Sequence, residues 1–169
     1  MSFWLLSLAP LALLGYALVG GVFLAFSDFL MRAFAKSAGG VEVMQVVNRE
    51  VFRWVFMALF LGLTPVSLAL LAGAAASIEA PGHALFAAAG GLYVLGCFAV
   101  TAGRNVPLNE ALARMDADGP EAERFWRETY LPRWGFWNRL RAIACAAAAA
   151  LTLAGLIQAH RALAALAAA

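Results

Sequence analysis

Four long stretches without a charged residue constrain the fold of this chain more than any other feature. The uncharged runs cover residues 1–27, 54–78, 80–103 and 142–159. A helix needs about 20 apolar residues to cross the hydrocarbon core of a bilayer. The sequence therefore predicts four membrane-spanning helices, the last of them near the lower limit of length.

The composition agrees with a membrane protein and excludes a water-soluble domain. Hydrophobic residues make up 64% of the chain and charged residues 13%, which is far from the usual balance of a soluble domain. The apolar runs are continuous rather than alternating, which excludes barrel strands. We predict an all-α fold: one integral membrane domain, 1–169, with spans at about 3–27, 54–78, 82–103 and 138–159.

The basic residues predict the orientation. Of the 12 Lys and Arg residues, all but Arg161 lie in the two segments between spans one and two and between spans three and four. Such segments usually face the cytoplasm. We expect a four-helix bundle of the cytoplasmic (plasma) membrane, with two cytoplasmic helical segments and both termini outside. The first span lacks a basic leader and is expected to be retained rather than cleaved as a signal peptide.

The net charge and the cysteine and histidine content indicate which partners to expect. A net charge of +2 is too small to indicate a nucleic-acid surface. Membrane lipids and a hydrophobic small molecule are the expected partners, and homo-oligomerisation is left open. Cys97 and Cys145 are expected to pack as small hydrophobic residues, and no His-rich or Cys-rich cluster indicates a metal site.

Prolines and glycines predict where the helices end. The first helix should continue past Asp28, which can pair with Arg32, until Gly39-Gly40. The third should break or bend at Pro107, with Asn105 as a possible cap for the next segment. A cytoplasmic helix from about residue 121 should end at residue 131, before Pro132.

The two halves of the chain show the same features in the same order. A polar helix end and a cytoplasmic helix precede Asn48-Arg49 at the start of span two and Asn138-Arg139 at the start of span four. A parallel duplication of this kind would bring the polar helix ends together on one side of the membrane. We therefore expect one shared polar cluster there.

Several of these polar blocks carry a family resemblance. The blocks are Ala25-Phe26-Ser27-Asp28-Phe29, Met44-Gln45 with Asn48-Arg49, Asn105-Val106-Pro107-Leu108-Asn109, and Trp134 with Trp137-Asn138-Arg139. They resemble the recurring blocks of the anthrone oxygenase-like family of small four-span membrane proteins, many of unknown function. The resemblance implies an oxidoreductase that converts an anthrone to an anthraquinone without a bound cofactor.

That chemistry assigns expected roles to the polar residues. Asp28 would be the base that removes an acidic C–H proton, and Asn105, Asn109 and Asn138 would stabilise the resulting enolate. The remaining candidates are expected to bind the substrate, by charge, hydrogen bonding or stacking: Arg32, Gln45, Asn48, Arg49, Trp134, Trp137 and Arg139.

Three functions remain compatible with the sequence. The first is a cofactor-independent oxygenase-like enzyme acting on a hydrophobic aromatic substrate. The second is a non-enzymatic membrane binding or assembly protein, in which the polar cluster closes the bundle or docks a partner. The third is a small transporter, which is disfavoured because Thr64, Ser67 and Tyr93 are nearly the only polar residues at mid-membrane depth in spans two to four.

Overall fold

The fold is an all-α bundle. The structure, a computed structural model, describes residues 3–53 and 55–168; Met1, Ser2, Ala169 and Trp54, with which the second predicted span begins, lie outside this part. Within it there are five helices and no strand. The first, α1, comprises Phe3–Ala25, a π-helical turn at Phe26–Leu30, and Met31–Lys36.

The other helices follow in chain order. Helix α2 covers Gly40–Glu50 and α3 covers Val55–Ala75. Helix α4 comprises His83–Gly91, a π-helical stretch at Leu92–Ala99, a π turn at Thr101–Asn105, and Val106–Ala113. Helix α5 comprises Pro120–Phe125, a π turn at Trp126–Tyr130, and Leu131–Ala167.

Four of these helices, α1, α3, α4 and α5, are long and apolar enough to cross a membrane. Helix α1 packs along α5 and α3, and α4 packs along α3 and α5, so the four form a closed bundle. Its core contains Tyr16, Phe60, Leu70, Phe86 and Tyr93. A chain with four such helices is a multi-pass membrane protein, as the uncharged runs predict.

The turn between α3 and α4 depends on one glycine. Gly82 has φ +84°, a left-handed conformation that L side chains rarely adopt. A Cβ atom there would also collide with the carbonyl oxygen of Gly155 in α5. Gly82 thus lets this turn lie directly against α5.

Short helix α2 caps one end of the bundle. We call this the polar end; it consists of α2 together with residues 26–36, 101–113 and 120–141. A second hydrophobic cluster, separate from the membrane core, holds it together and includes Met31, Met44, Leu112 and Trp126. Gly40, at the start of α2, is tightly packed, since a Cβ atom there would collide with the Phe34 carbonyl. The polar end is therefore a folded layer with its own core.

The helix end predicted before Pro132 is wrong, and the chain does not break at Pro107 either. Helix α4 continues through Pro107, and α5 continues through Pro132. In both cases a π turn ends two residues before the proline, at Asn105 and at Tyr130. Proline lacks the N–H that an α-helix needs for its i→i−4 hydrogen bond, and a widened turn relaxes that requirement. Both helices therefore continue through their prolines instead of ending there.

Candidate functional site

A cavity of about 100 Å³ lies at the polar end and is partly open. Six aromatic side chains dominate its walls: Phe23, Phe26, Phe52, Phe56, Phe60 and Trp134. Four polar side chains also line it: Asn48, Thr101, Asn109 and Arg141. An apolar, aromatic cavity with a few polar groups is the usual form of a small-molecule site.

Asn109 connects the aromatic side chains of α5 to the cavity. Its Oδ1 accepts hydrogen bonds from the Tyr130 hydroxyl at 2.8 Å and from the Trp134 Nε1 at 2.8 Å. The Tyr130 hydroxyl is also 3.5 Å from the Asn48 Nδ2, which makes a weak contact. Because both bonds to Asn109 use its oxygen, its NH₂ group can still donate to a ligand.

Stacked rings support this network. Tyr130 stacks between Trp126, at a centroid distance of 5.1 Å, and Trp134, at 6.0 Å. These residues are four apart on α5, so each lies above the next on one helix face. The stack fixes the orientation of the Tyr130 and Trp134 polar atoms toward Asn109.

Asn138 and Thr101 hold Arg141 in place. The Arg141 Nη2 donates to the Asn138 Oδ1 at 2.7 Å, and its Nη1 donates to the Thr101 Oγ1 at 3.1 Å. The Asn138 Nδ2 in turn donates to the Phe23 carbonyl at 2.8 Å and to the Ser27 Oγ at 2.7 Å. Arg141 is thereby fixed between α1, α4 and α5.

Asn105 and Gln45 have structural contacts. The Asn105 Nδ2 donates to the Trp134 carbonyl at 3.3 Å, while its Oδ1 is buried without a partner. Its side chain caps no helix end. The Gln45 Nε2 donates to the carbonyls of Leu112 and Met115, at 2.9 and 3.0 Å, and so ties α2 to the end of α4. Neither residue lines the cavity.

The charged residues expected at the site lie elsewhere. Asp28 pairs with Arg32 at 3.1 Å, and their side chains are 65% and 70% exposed. Arg49 and Arg139 are exposed as well. Trp137 lies under the Arg104 guanidinium, 5.1 Å from the ring centroid. None of these lines the cavity.

The polar residues expected from the sequence thus fall into three groups. Asn48, Asn109 and Trp134 line the cavity, while Asn105, Asn138 and Gln45 support its walls through hydrogen bonds. The third group faces away from it: Asp28, Arg32, Arg49, Trp137 and Arg139. Catalysis and substrate binding by these residues stay predictions.

Arg141 and Thr101 line the cavity but are not among the site residues expected from the sequence, whereas Tyr130 belongs to a repeat of aromatic residues that indicates either an interfacial belt or a wall for a planar ligand. Arg141 follows Asn138 by three residues and Trp134 by seven. Residues at that spacing share one helix face. The shared face was the available signal.

The cavity has one charged residue in the described part of its lining, Arg141. Across residues 3–53 and 55–168, no three His, Cys, Asp or Glu side chains are grouped so that they could hold a metal ion. The arrangement offers one buried cation and neutral donors beside an aromatic surface. It can bind a flat apolar molecule and stabilise negative charge on one of its atoms.

Comparison with protein families gives a match that covers α3, α4 and most of α5. The family model described as anthrone oxygenase matches residues 52–151, more than half of the chain. This stretch contains Asn109, Trp134 and Arg141, whereas Asp28 and Asn48 precede it. Comparison with curated proteins and with solved structures finds no match.

Proposed function

Since the chain belongs to the anthrone oxygenase family, we propose that it is an oxygenase that converts a membrane-soluble anthrone-type substrate to a quinone without a cofactor. The observation that carries this proposal is the aromatic cavity with Arg141, Asn48 and Asn109 in its wall. An anthrone is a planar tricycle with an acidic CH₂ group opposite a carbonyl. The aromatic walls would match its flat faces, and Arg141, Asn48 and Asn109 would match the charge that develops on its oxygen.

The first step would be loss of a proton from the CH₂ group. The negative charge moves to the carbonyl oxygen, where the Arg141 guanidinium and the Asn109 NH₂ can stabilise it. No carboxylate lines the described part of the cavity, so we propose that water at the open side takes the proton. Asp28 as the base stays a prediction.

Dioxygen would then react with the electron-rich anion. One oxygen atom becomes the new carbonyl, and the other leaves as water with both hydrogens of the CH₂ group. The substrate supplies all the electrons, so the balance requires no other reductant. The protein binds, orients and stabilises the anion, which accelerates a reaction that the substrate can undergo by itself.

Two exposed apolar residues in the lining support a hydrophobic substrate. Val22 and Phe52 line the cavity, yet they are 38% and 66% exposed. In a membrane protein, exposed apolar residues beside a span lie against lipid or its interface. We propose that the substrate arrives from the bilayer past these residues.

One experiment tests the proposal directly. The purified chain in detergent is incubated with anthrone, and quinone absorbance and dioxygen uptake are followed together. We expect equimolar uptake and product, one labelled carbonyl oxygen from ¹⁸O₂, and no product under nitrogen. A rate equal to that of heat-treated protein would contradict the proposal.

A matched pair of variants places the reaction in the cavity. Met57→Trp fills the cavity from α3, whereas Leu61→Trp adds the same ring one turn further along, at an exposed position. We expect Met57→Trp to lower turnover by at least about ten-fold, or about 1.4 kcal/mol in transition-state stabilisation. Leu61→Trp should retain it.

The interhelical hydrogen bonds favour the second candidate, a binding or assembly protein. Gln45, Asn105 and Asn138 each donate to a backbone carbonyl of another helix or segment. Their roles at the polar end would be the same in a protein without turnover. A protein that binds anthrone but consumes no dioxygen would favour this candidate.

A further inference from the structure

Arg141 is a buried cation without a counter-ion among the residues that the structure describes. It is 4% exposed, and none of the ion pairs in the described part of the chain includes it. Burying an unpaired charge destabilises a protein strongly, even after the protein relaxes around it. Ionisable residues at such positions in membrane proteins are functional-site candidates for that reason.

The partners of Arg141 are all neutral. Asn138 and Thr101 accept from Nη2 and Nη1, while the Nε atom is buried without an acceptor. The guanidinium carbon lies 4.2 Å from the Phe23 ring centroid and 5.3 Å from that of Trp134. Cation–π contacts offset part of the burial cost. They orient the charge without neutralising it.

Both rings beside Arg141 are also walls of the cavity. A ligand that fills the cavity therefore meets aromatic surface and the guanidinium together. An aliphatic carboxylate would use the charge but not the flat walls. A phosphate group would need several cationic or N–H donors, and the described lining offers a single cation.

We propose that the cavity binds a planar aromatic ligand as its phenolate or enolate anion, with the charged oxygen at Arg141. This inference rests on the proposed function and assigns Arg141, a residue not expected from the sequence, to anion binding. In the binding step the ligand loses one proton to water, and no electrons are transferred. Because the Arg141 guanidinium is buried and its hydrogen bonds are preformed, the charge is stabilised more strongly there than in water.

The test uses alizarin, a planar hydroxyanthraquinone whose visible absorption changes when its phenol ionises. The full chain in neutral detergent is titrated with pH in the presence of the dye. We expect the bound dye to ionise at least about one pH unit lower than in empty micelles, a ten-fold preference for the anion. An unchanged ionisation pH on the wild-type protein would overturn the proposal.

Variants assign the shift to one side chain. Arg141→Gln should abolish it, and Arg141→Lys should keep part of it because the charge remains. The control is Arg133→Gln, which removes the same charge from an exposed position of α5. An equal shift in wild type and in a monodisperse Arg141→Gln protein would overturn the role of Arg141. If Arg141→Gln does not fold, the wild-type shift and its reduction in Arg141→Lys decide.

Two additional measurements separate this inference from the proposed function. Laurate at equal concentration should not displace the dye, and displacement would overturn the aromatic class of ligand. Anthrone oxidation without a dye shift would overturn the anion site and leave the oxygenase proposal standing. A dye shift without dioxygen uptake would support the anion site while contradicting the oxygenase.

Discussion

The dipeptide Asn-Arg occurs at two corresponding places in the polar end, and its two asparagines have different surroundings. Asn138 is fully buried and bonds to the Phe23 carbonyl, the Ser27 Oγ and Arg141. Asn48 is half-buried, and within the described part of the chain its side chain has one hydrogen-bond contact, 3.5 Å long, with Tyr130. The same dipeptide thus gives a buried asparagine with several hydrogen bonds in one half of the chain and a half-buried, weakly bonded asparagine in the other.

Helix continuity explains the difference. Asn138 lies in α5, which runs without interruption from the polar end into the membrane and packs along α1. Asn48 lies near the end of α2, which stops at Glu50 before α3 begins at Val55. A residue in the middle of a packed helix is surrounded on one face, whereas a residue at the end of a short helix has few neighbours. The helix in which each asparagine lies therefore decides how firmly its side-chain amide is held.

The largest effect we predict is that of Asn138→Ala. The change removes the acceptor of the Arg141 Nη2 and both donors that tie α5 to α1. A buried charged group that loses its partner costs about 3 kcal/mol, so the Tm in detergent should fall by several degrees. Gln158→Ala, which removes an exposed amide from the same helix, is the control. Equal Tm values for the two variants would contradict the interpretation that the hydrogen bonds of Asn138 stabilise the polar end.

A smaller effect is expected for Asn48→Ala. Its long contact with Tyr130 contributes little to stability, so the Tm should change much less than in Asn138→Ala. Asn48 nevertheless lines the cavity, and a neutral hydrogen bond to a ligand there contributes about 1 kcal/mol. Anthrone turnover should fall about five-fold, measured by quinone absorbance. If Asn48→Ala lost as much stability as Asn138→Ala, the two asparagines would be equivalent after all.

The fold was largely predictable because each uncharged run is an independent signal. The four apolar helices are confirmed, as is the continuation of α1 past Asp28 to the break near Gly39-Gly40. The continuation of α4 through Pro107 and of α5 through Pro132 was not predictable in the same way. A π turn depends on the packing of neighbouring helices, which single-residue preferences do not describe.

The site was less predictable because tertiary contacts define it. Residue type, position and the family resemblance indicated Asn48, Asn109 and Trp134, and these line the cavity. The same reasoning favoured Asp28 and Arg139, which are exposed. Arg141 and Arg139 are two positions apart, so they lie on different helix faces. Only the packing of α5 against α1 and α4 decides which face is buried.

The smallest effect we predict concerns Asp28, a charged residue of the polar end whose surroundings differ from those of Arg141. Asp28 and Arg32 are an exposed pair on α1, whereas Arg141, three residues after Asn138 on α5, is buried. Exposed ion pairs contribute about 0–1 kcal/mol, so Asp28→Asn should leave the Tm nearly unchanged. Because Asp28 does not line the cavity, we also expect anthrone turnover to remain within about two-fold of wild type. Turnover is measured at saturating dioxygen over a range of pH, since loss of a base would reduce the rate most where little hydroxide is present to take the proton. A well-folded Asp28→Asn protein without turnover would instead support the role of base that the sequence predicts. A base at Asp28 would require a ligand long enough to reach from Arg141 to the exposed face of α1.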